Sequence, residues 1–473
     1  MIIKRTFFCL TLVLIGCEGN QEKNAVDNLF SEWNKSDSPG GSFAVIKNGD
    51  VLYKGGFGYG NLDYDYPNAS NTIFYLASVS KQFTAMAMAL LEEQGKISLD
   101  DDIRKYFPEI PNYGSKITIR NLIHHNSGLR DYLNLWVLKG RSYADVFDEK
   151  EIINLIARQK ELNFNPGDEY MYSNSGYFLM AVLVKRATGM SLRNYTNRYF
   201  FQPLGMNHTH FHDNRDMIVK NRAESYYVKN DSVLERVDSS FDLVGSGGLL
   251  SNIDDLILWD KNYYNNKIGS GEKLMETILT KGILNNGDTL DYAFGLVHGE
   301  YKGLKTIGHS GGYLGFRTHM LRFPDQEFSV IILTNLFSMK PGNLAKKISD
   351  IYLADILADP DFETNEEEVS TSELDETDFR MDNEQLSKFS GTFFSPELET
   401  SYHFNMKKDT LTCQVRYLDP VSLNPTGPFT FKKDKWITLE FENNYNGFTL
   451  NTGRAKNIKF KRINNYSYEK NIN

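Results

Sequence analysis

Residues 78–95 read SVSKQFTAMAMALLEEQG. The stretch consists of strong helix formers that are apolar on nearly every side, and Gly95 closes it. A helix that is apolar all round is buried rather than laid on a surface, and glycine commonly follows the last turn of a helix. We therefore predict that this stretch is a helix in the core of the protein.

Apolar runs on both sides of this helix predict β-hairpins. The first hairpin joins residues 42–46 and 51–53 through Asn48-Gly49-Asp50, and the second joins 318–323 and 328–333 through Pro324-Asp325. Residues 117–270, between the hairpins, alternate helical stretches with loops rich in Gly and Asn. Strands at both ends with helices between them predict an α+β fold, in which helices flank one antiparallel sheet.

The acidity of the chain is confined to one segment. Residues 359–382 hold eleven acidic side chains against Arg380, a balance of −10 in a chain whose net charge is −9. A charged segment with few large apolar residues is typical of a solvated linker, which we place at 358–384. The remainder is almost neutral and has no basic stripe, so we expect no nucleic-acid partner.

After this linker the chain changes to short alternating runs that turn residues separate. Strands this short and closely spaced predict a small all-β domain, either a barrel or a sandwich, over residues 385–466. The predicted strands are 389–393, 402–404, 410–412, 429–431, 436–439 and 458–460.

The N-terminus has the features of an export signal. Two basic residues, Lys4 and Arg5, precede an apolar run over 7–15 that is too short to span a bilayer. The run ends in Leu14-Ile15-Gly16-Cys17, which resembles the lipobox of bacterial lipoproteins. This resemblance implies a signal peptide over 1–16, lipidation of Cys17 and a tether over 17–25. We expect an exported protein, lipid-anchored on the periplasmic or cell-surface side of a bacterial membrane; an ordinary signal peptide is the alternative.

Cysteine usage leaves little room for a disulfide or a metal site. Loss of Cys9 with the signal and lipidation of Cys17 would leave Cys413 as the only thiol. No spacing of Cys and His resembles a zinc site, so we expect neither an intrachain disulfide nor a bound metal.

Three short motifs carry the candidate chemistry. Ser78 and Lys81 are three residues apart and share one helix face, where the helix N-terminus and burial disfavour a charged lysine and favour its use as a base. Tyr172, in Tyr172-Ser173-Asn174, would share the proton of this pair, while Asn174 holds an amide of the substrate. The small residues of Gly308-His309-Ser310-Gly311-Gly312 would let a substrate lie along the sheet edge and supply a backbone N–H to an oxyanion hole.

In this order the motifs resemble the serine β-lactamase and penicillin-binding-protein superfamily, specifically its class C-like branch. The resemblance covers residues 26–357 and extends to 117–122, 125–129, 203–206 and 245–251. It implies a catalytic group of Ser78 as nucleophile with Lys81 and Tyr172 as the acid/base pair. It implies substrate contacts by Asn174, His309, Ser310 and Gly311, an oxyanion hole from the N–H groups of Ser78 and Gly312, and no cofactor. The C-terminal unit resembles the lipocalin-like β domains appended to some members.

One position departs from the β-lactamase pattern. The third motif of β-lactamases usually begins with lysine, whereas this chain has His309, as in D-peptidase and D-aminopeptidase members. With the reference pKa of about 6.5, this histidine would be neutral at pH 7 and would gain charge toward pH 6. We therefore disfavour a dedicated β-lactamase.

The sequence predicts a serine hydrolase that forms an acyl-serine on a small-molecule or peptide substrate. A D-amino-acid peptide, an ester and, weakly, a β-lactam remain open as substrates. The alternative is a penicillin-binding lipoprotein without turnover, acting as a sensor or decoy for cell-wall fragments. We interpret His124 and His125 as bracing a loop rather than binding a metal, and the oligomeric state stays open.

Overall fold

The computed structural model describes residues 20–143, 145–146, 148–229, 233–237, 242–358 and 379–463. Cys17, the signal peptide and residues 359–378 of the acidic segment lie outside them. The chain divides into two compact units. The first comprises Met1–Ile97, Ala181–Gly282 and Leu290–Thr364, and the second comprises Ser98–Met180, Ile283–Thr289 and Asn365–Asn473.

A six-stranded antiparallel sheet forms the centre of the first unit. Its strands, in spatial order, are Val297–Tyr301, Leu304–Tyr313, Phe316–Phe323, Phe328–Thr334, Gly41–Lys47 and Asp50–Phe57. Val45 lies opposite Val330, so the two predicted hairpins pair with each other. This pairing confirms the prediction that hairpins far apart in sequence share one sheet.

Helices cover both faces of this sheet. On one face, Leu344 and Ile348 of helix Pro341–Tyr352 share a buried cluster with Val330 and Ile332. On the other, Asp260 of helix Ile253–Tyr264 pairs with Arg322 at 2.7 Å, and both side chains are almost fully buried. Every residue of strand Phe328–Thr334 is buried as a result, which is typical of a strand enclosed on both sides. The predicted α+β fold is confirmed.

The remaining elements of the first unit connect this sheet and its helices. Further helices are 20–30, Lys81–Glu93, Leu192–Thr196, Gln202–Leu204 and Glu272–Ile278, together with Asn174–Thr188, which begins in the second unit. Shorter turns are the 3-10 helices Ala77–Ser80 and Pro324–Gln326 and the π-helical turn Asn197–Phe201. Short strands are Tyr59–Asn61, Tyr66–Pro67, Phe74–Tyr75, His210–Phe211, Tyr226–Lys229, Val233–Arg236 and Leu249–Ser251.

The stretch that predicted a buried helix forms one. It begins as the 3-10 turn Ala77–Ser80 and continues as helix Lys81–Glu93, in which every residue from Lys81 to Leu91 is buried. Gly95 follows with φ 68°, a left-handed conformation that glycine adopts without strain. Lys81 is the one cationic side chain within this buried run, which singles it out for a functional role.

The second unit contains a nine-stranded antiparallel sheet and a set of short helices. The strands, in spatial order, are Val421–Ser422, Thr410–Val415, Thr400–Lys407, Gly391–Ser395, Ile458–Ile463, Gly447–Asn451, Thr438–Phe441, Thr430–Lys432 and Asn424–Pro425. The helices are Ile103–Lys105 (3-10), Ile119–Ile123, Tyr132–Leu138, Glu149–Ala157 and Asn383–Ser387. The two end strands are separated by one residue in sequence, so the sheet nearly closes into a barrel. The predicted all-β domain is confirmed as barrel-like.

Buried polar contacts join this sheet to the helices of the second unit. Arg130 pairs with Glu397 at 2.7 Å, and their side chains are 0% and 4% exposed. The same guanidinium donates to Gln159 and to the carbonyl of Asn457. A buried ion pair is costly to break, because removing one partner leaves the other charge uncompensated. The predicted domain boundaries at 26–357, 358–384 and 385–466 stay a prediction.

Among the described residues, no helix combines the length and apolar character that crossing a bilayer requires.

Candidate active site

Ser78 and Lys81 meet at the start of the buried helix. Lys81 Nζ lies 3.1 Å from Ser78 Oγ, the distance of a hydrogen bond between a nucleophile and its base. Nζ also donates to the carbonyl oxygen of Ser246 at 2.6 Å. The side chain of Lys81 is fully buried, so these contacts fix the amine against the serine hydroxyl.

The backbone around Ser78 is held in an unusual conformation. Ala77, immediately before it, has φ 48°, which is rare for a residue with a Cβ and costs about 1–3 kcal/mol. The neighbouring Leu76 is bonded on both sides: its N–H donates to Leu249, and its carbonyl accepts from the Thr318 hydroxyl at 2.8 Å. These bonds hold the strained turn that presents Ser78.

A glycine-rich loop over residues 245–248 holds the other side of Lys81. Besides the Ser246 carbonyl, the Gly245 carbonyl accepts from Thr84, and the Gly248 N–H donates to the Tyr75 hydroxyl at 3.0 Å. The sequence shows this loop only as part of the family resemblance. The loop holds Lys81 through the Ser246 carbonyl, and these two residues are 165 positions apart, so no local pattern reveals the contact.

The third motif lies on strand Leu304–Tyr313, beside the turn that carries Ser78. A Cβ added to Gly311 would lie 2.3 Å from the Leu76 carbonyl oxygen and 3.1 Å from the Ser78 nitrogen, so only glycine permits this approach. The corresponding Cβ at Gly312 would meet only the Arg317 side chain, at 3.5 Å or more. The pairing of the Ser78 and Gly312 N–H groups as an oxyanion hole stays a prediction.

His309 is buried and uncharged. Burial, and next the positive charge of Lys81, lower the pKa of His309 to about 3. Its Nε2 lies 3.1 Å from the Tyr292 hydroxyl and its Nδ1 lies 2.6 Å from the Ser310 carbonyl oxygen. The expected gain of charge toward pH 6 is therefore wrong, because the reference pKa applies to a solvated imidazole.

Ser310 has a partner that the sequence analysis missed. Its hydroxyl lies 2.7 Å from Nδ1 of His319, which sits directly opposite in the sheet. Burial lowers the pKa of His319 to about 4, so this imidazole is neutral and orients the hydroxyl. An open groove of about 540 Å³ lies between Ser310 and Gly311 of the strand and residues 337–343, where helix Pro341–Tyr352 begins.

Tyr172 and Asn174 belong to the second unit, where Asp131 positions the asparagine. Asp131 Oδ2 accepts from the backbone N–H of Asn174 at 2.7 Å and from its Nδ2 at 2.8 Å. Asp131 Oδ1 caps helix Tyr132–Leu138. The sequence analysis also missed Asp131, which follows the resembling stretch 125–129 by two residues. Cooperation of Tyr172 and Asn174 with Ser78 stays a prediction from the order of the motifs.

His125 braces the same motif, as the sequence predicts. The Ser173 N–H donates to His125 Nδ1 at 3.1 Å, and the Met171 N–H donates to the His125 carbonyl at 2.8 Å. The rings of His125 and Tyr172 lie 4.2 Å apart. The histidine therefore holds the backbone and the ring of the tyrosine motif.

Comparison with known sequences places the chain in one family. The Beta-lactamase family profile matches residues 26–352. Penicillin-binding protein 4* of Bacillus subtilis (strain 168) is 32% identical over 333 residues, covering 67% of this chain and 72% of that protein. The D-aminopeptidase of Gluconobacter oxydans (strain 621H) is 28% identical over 306 residues, covering 63% of this chain and 56% of that protein. This chain thus spans just over half the length of that D-aminopeptidase.

Solved structures show the same fold. The octameric penicillin-binding protein homologue from Pyrococcus abyssi matches with a TM-score of 0.64 and 23% identity, covering 93% of this chain and 99% of that one. The D-amino acid amidase from Ochrobactrum anthropi SV3 matches with a TM-score of 0.59 and 20% identity, covering 71% and 99%. With this fold, the buried Ser78–Lys81 pair and the match over residues 26–352, the chain belongs to the β-lactamase family.

Proposed function

We propose that this protein is a serine hydrolase that acylates Ser78 with an ester or amide and releases the acyl group to water. The observation that carries the proposal is the 3.1 Å contact between Ser78 Oγ and the buried Lys81 Nζ. A serine hydroxyl is a weak nucleophile unless a base lies within hydrogen-bond reach. We add Tyr172 to this pair because Tyr172-Ser173-Asn174 resembles the second motif of the family.

The proposed reaction has two halves. Ser78 Oγ attacks the carbonyl carbon and gives its proton to the Lys81–Tyr172 pair, and the N–H groups of Ser78 and Gly312 stabilise the oxyanion. The proton passes to the leaving alcohol or amine as its bond to the carbonyl carbon breaks. Water then attacks the acyl carbon and gives a proton to Tyr172. The bond between Ser78 Oγ and that carbon breaks as Oγ takes a proton back, which releases the carboxylic acid.

The third motif favours substrates in which no carboxylate must be held beside Ser78. Because the pKa of His309 is about 3, this position supplies no positive charge at neutral pH. The similarity to a D-aminopeptidase fits the same substrate class. We therefore propose a D-amino-acid peptide, an amide or an ester as substrate rather than a penicillin. We keep the class C-like branch and the lipid anchor at Cys17 as parts of this proposal.

The test compares labelling with turnover. Purified protein is treated with a fluorophosphonate and with an ester, a D-alanyl amide and a cephalosporin. We expect Ser78→Ala to abolish labelling and to lower turnover by up to about 10⁶-fold, because nucleophile and base act as a unit. The control is Ser270→Ala, an exposed serine of the same unit, which should change neither. Labelling that persists at another serine contradicts the proposal, and acylation without turnover favours the sensor or decoy.

A further inference from the structure

A loop of the nine-stranded sheet reaches the tyrosine motif. The guanidinium carbon of Arg454 lies 4.8 Å from the centre of the Tyr172 ring. Arg454 is exposed, and within the described part of the chain its guanidinium pairs with no carboxylate and donates no hydrogen bond. The cation of this residue is therefore directed at the tyrosine ring rather than neutralised by a neighbour.

The backbone of this loop is fixed against the motif. The Arg454 carbonyl accepts from the Asp131 N–H at 3.0 Å and from Asn163 Nδ2 at 3.1 Å. Asn163 Oδ1 in turn accepts from the Lys456 N–H at 2.8 Å. The Asp131 carboxylate also holds Asn174. Asp131 therefore connects the two regions, because its N–H is bonded to the β-sheet loop and its carboxylate to the second motif.

Three other titratable groups of the same region are engaged by neighbouring residues. His125 Nδ1 accepts a hydrogen bond from the Ser173 N–H. The Asp131 carboxylate is engaged by Asn174 and by the helix N-terminus. Glu169 lies 3.8 Å from the Lys456 ammonium.

The charge of Arg454 also affects the pKa of two other tyrosines in the second unit, Tyr170 and Tyr143. Burial raises the pKa of Tyr170 to about 12, and Arg454 opposes that rise. Burial and then Asp131 raise the pKa of Tyr143, and Arg454 again opposes. A guanidinium within a few ångströms of a phenol favours its ionised form, and its planar group also stacks on the ring.

We propose that Arg454 is a positioning residue for Tyr172, fixing the ring and favouring the phenolate that accepts protons during acyl transfer. The inference rests on the proposed function, in which the Lys81–Tyr172 pair takes the Ser78 proton as the Oγ–carbon bond forms. The phenol then returns the proton to the leaving group and accepts another from the attacking water. The C-terminal β-sheet thus supplies a charge to the acid/base chemistry.

The test measures kcat and KM for an uncharged ester from pH 5 to 10 in Arg454→Gln and Arg454→Lys. Removal of the cation should move the acidic limb of kcat/KM upward by about half to one pH unit, which lowers kcat/KM about 3- to 10-fold below that limb. We expect KM to change less than about 2-fold and the activity of Arg454→Gln to recover at high pH. Arg454→Lys keeps the charge but loses the planar group, so its acidic limb should lie between those of the parent and Arg454→Gln. The matched control, Lys407→Gln, removes an exposed charge from strand Thr400–Lys407 of the same sheet and should leave the limb in place.

Two outcomes overturn the inference: an acidic limb that does not move in Arg454→Gln, and an equal loss at every pH. Because the guanidinium is exposed, the thermal unfolding midpoints of the Arg454 variants should lie within about 2 °C of the parent value. Midpoints in that range exclude a folding defect. Ser78→Ala and Tyr172→Phe separate the two levels of the argument. If these two variants retain turnover, the proposed function is overturned. If they are inactive but the acidic limb of Arg454→Gln does not move, only the role of Arg454 is overturned.

Discussion

His309 gives the sharpest prediction about substrate choice. With a pKa of about 3, only about 0.3% of this side chain is protonated at pH 5.5. A solvated histidine would be about 90% protonated at that pH and about 1% at pH 8.5. The ratio of kcat/KM for two substrates that differ only by a carboxylate should therefore vary less than about 2-fold between these pH values.

Replacement by lysine should change that ratio. A charge-assisted hydrogen bond contributes about 1.5–3 kcal/mol, which corresponds to about 10- to 100-fold in kcat/KM. His309→Lys should thus raise the ratio of carboxylate-bearing to uncharged substrate by this factor. His298→Lys adds a cation to the neighbouring strand Val297–Tyr301 and serves as the control, with no change expected.

The assay determines kcat/KM for the matched pair from pH 5.5 to 8.5 in the parent and both variants. A parent ratio that changes 5-fold or more across this range would show that His309 titrates there. An unchanged ratio in His309→Lys would show that no substrate carboxylate is recognised at this position. Either result would refute the reasoning.

Three other predictions concern the nucleophile turn, the second unit and the anchor. Gly311→Ala should lower kcat more than about 100-fold, because its Cβ would lie 2.3 Å from the Leu76 oxygen. Gly312→Ala has room for its Cβ, and its kcat should stay within about 5-fold of the parent value. Steady-state kinetics measure both effects. Arg130→Met should cost about 3–5 kcal/mol in urea unfolding by stranding its buried carboxylate partner, and a loss below 1 kcal/mol contradicts this. Cys17→Ser should move the protein from the detergent phase to the aqueous phase, and continued membrane association would indicate another anchor.

Local sequence patterns predicted the fold class and its main elements. The helix after Ser78 and the two hairpins follow from apolar periodicity and turn residues, and the sheet confirms them. In the β-sheet the same approach missed strand Gly447–Asn451, because a glycine and a short run give a weak signal. It also placed Trp436 in a strand, whereas this side chain lies outside the strands and is 57% exposed.

The partners of the motif residues were beyond sequence reasoning. Asp131 binds Asn174 across 43 positions, and the Ser246 carbonyl binds Lys81 across 165. Such contacts depend on how distant loops pack, and single residues in loops carry no periodicity. The charge state of His309 was unpredictable for the same reason, because burial shifts a pKa and sequence alone does not report burial at one position.

The most direct test of the central claim is the mass of the enzyme during turnover. An ester substrate is mixed with the protein, the reaction is stopped in acid within the first turnovers, and the modified peptide is mapped by mass spectrometry. We predict an increase equal to the acyl group on Ser78, which appears as the alcohol leaves and before the carboxylic acid is released, and which decays as substrate is exhausted. Steady hydrolysis that is lost in Ser78→Ala, yet without any acylated Ser78 in the parent, would contradict the covalent mechanism.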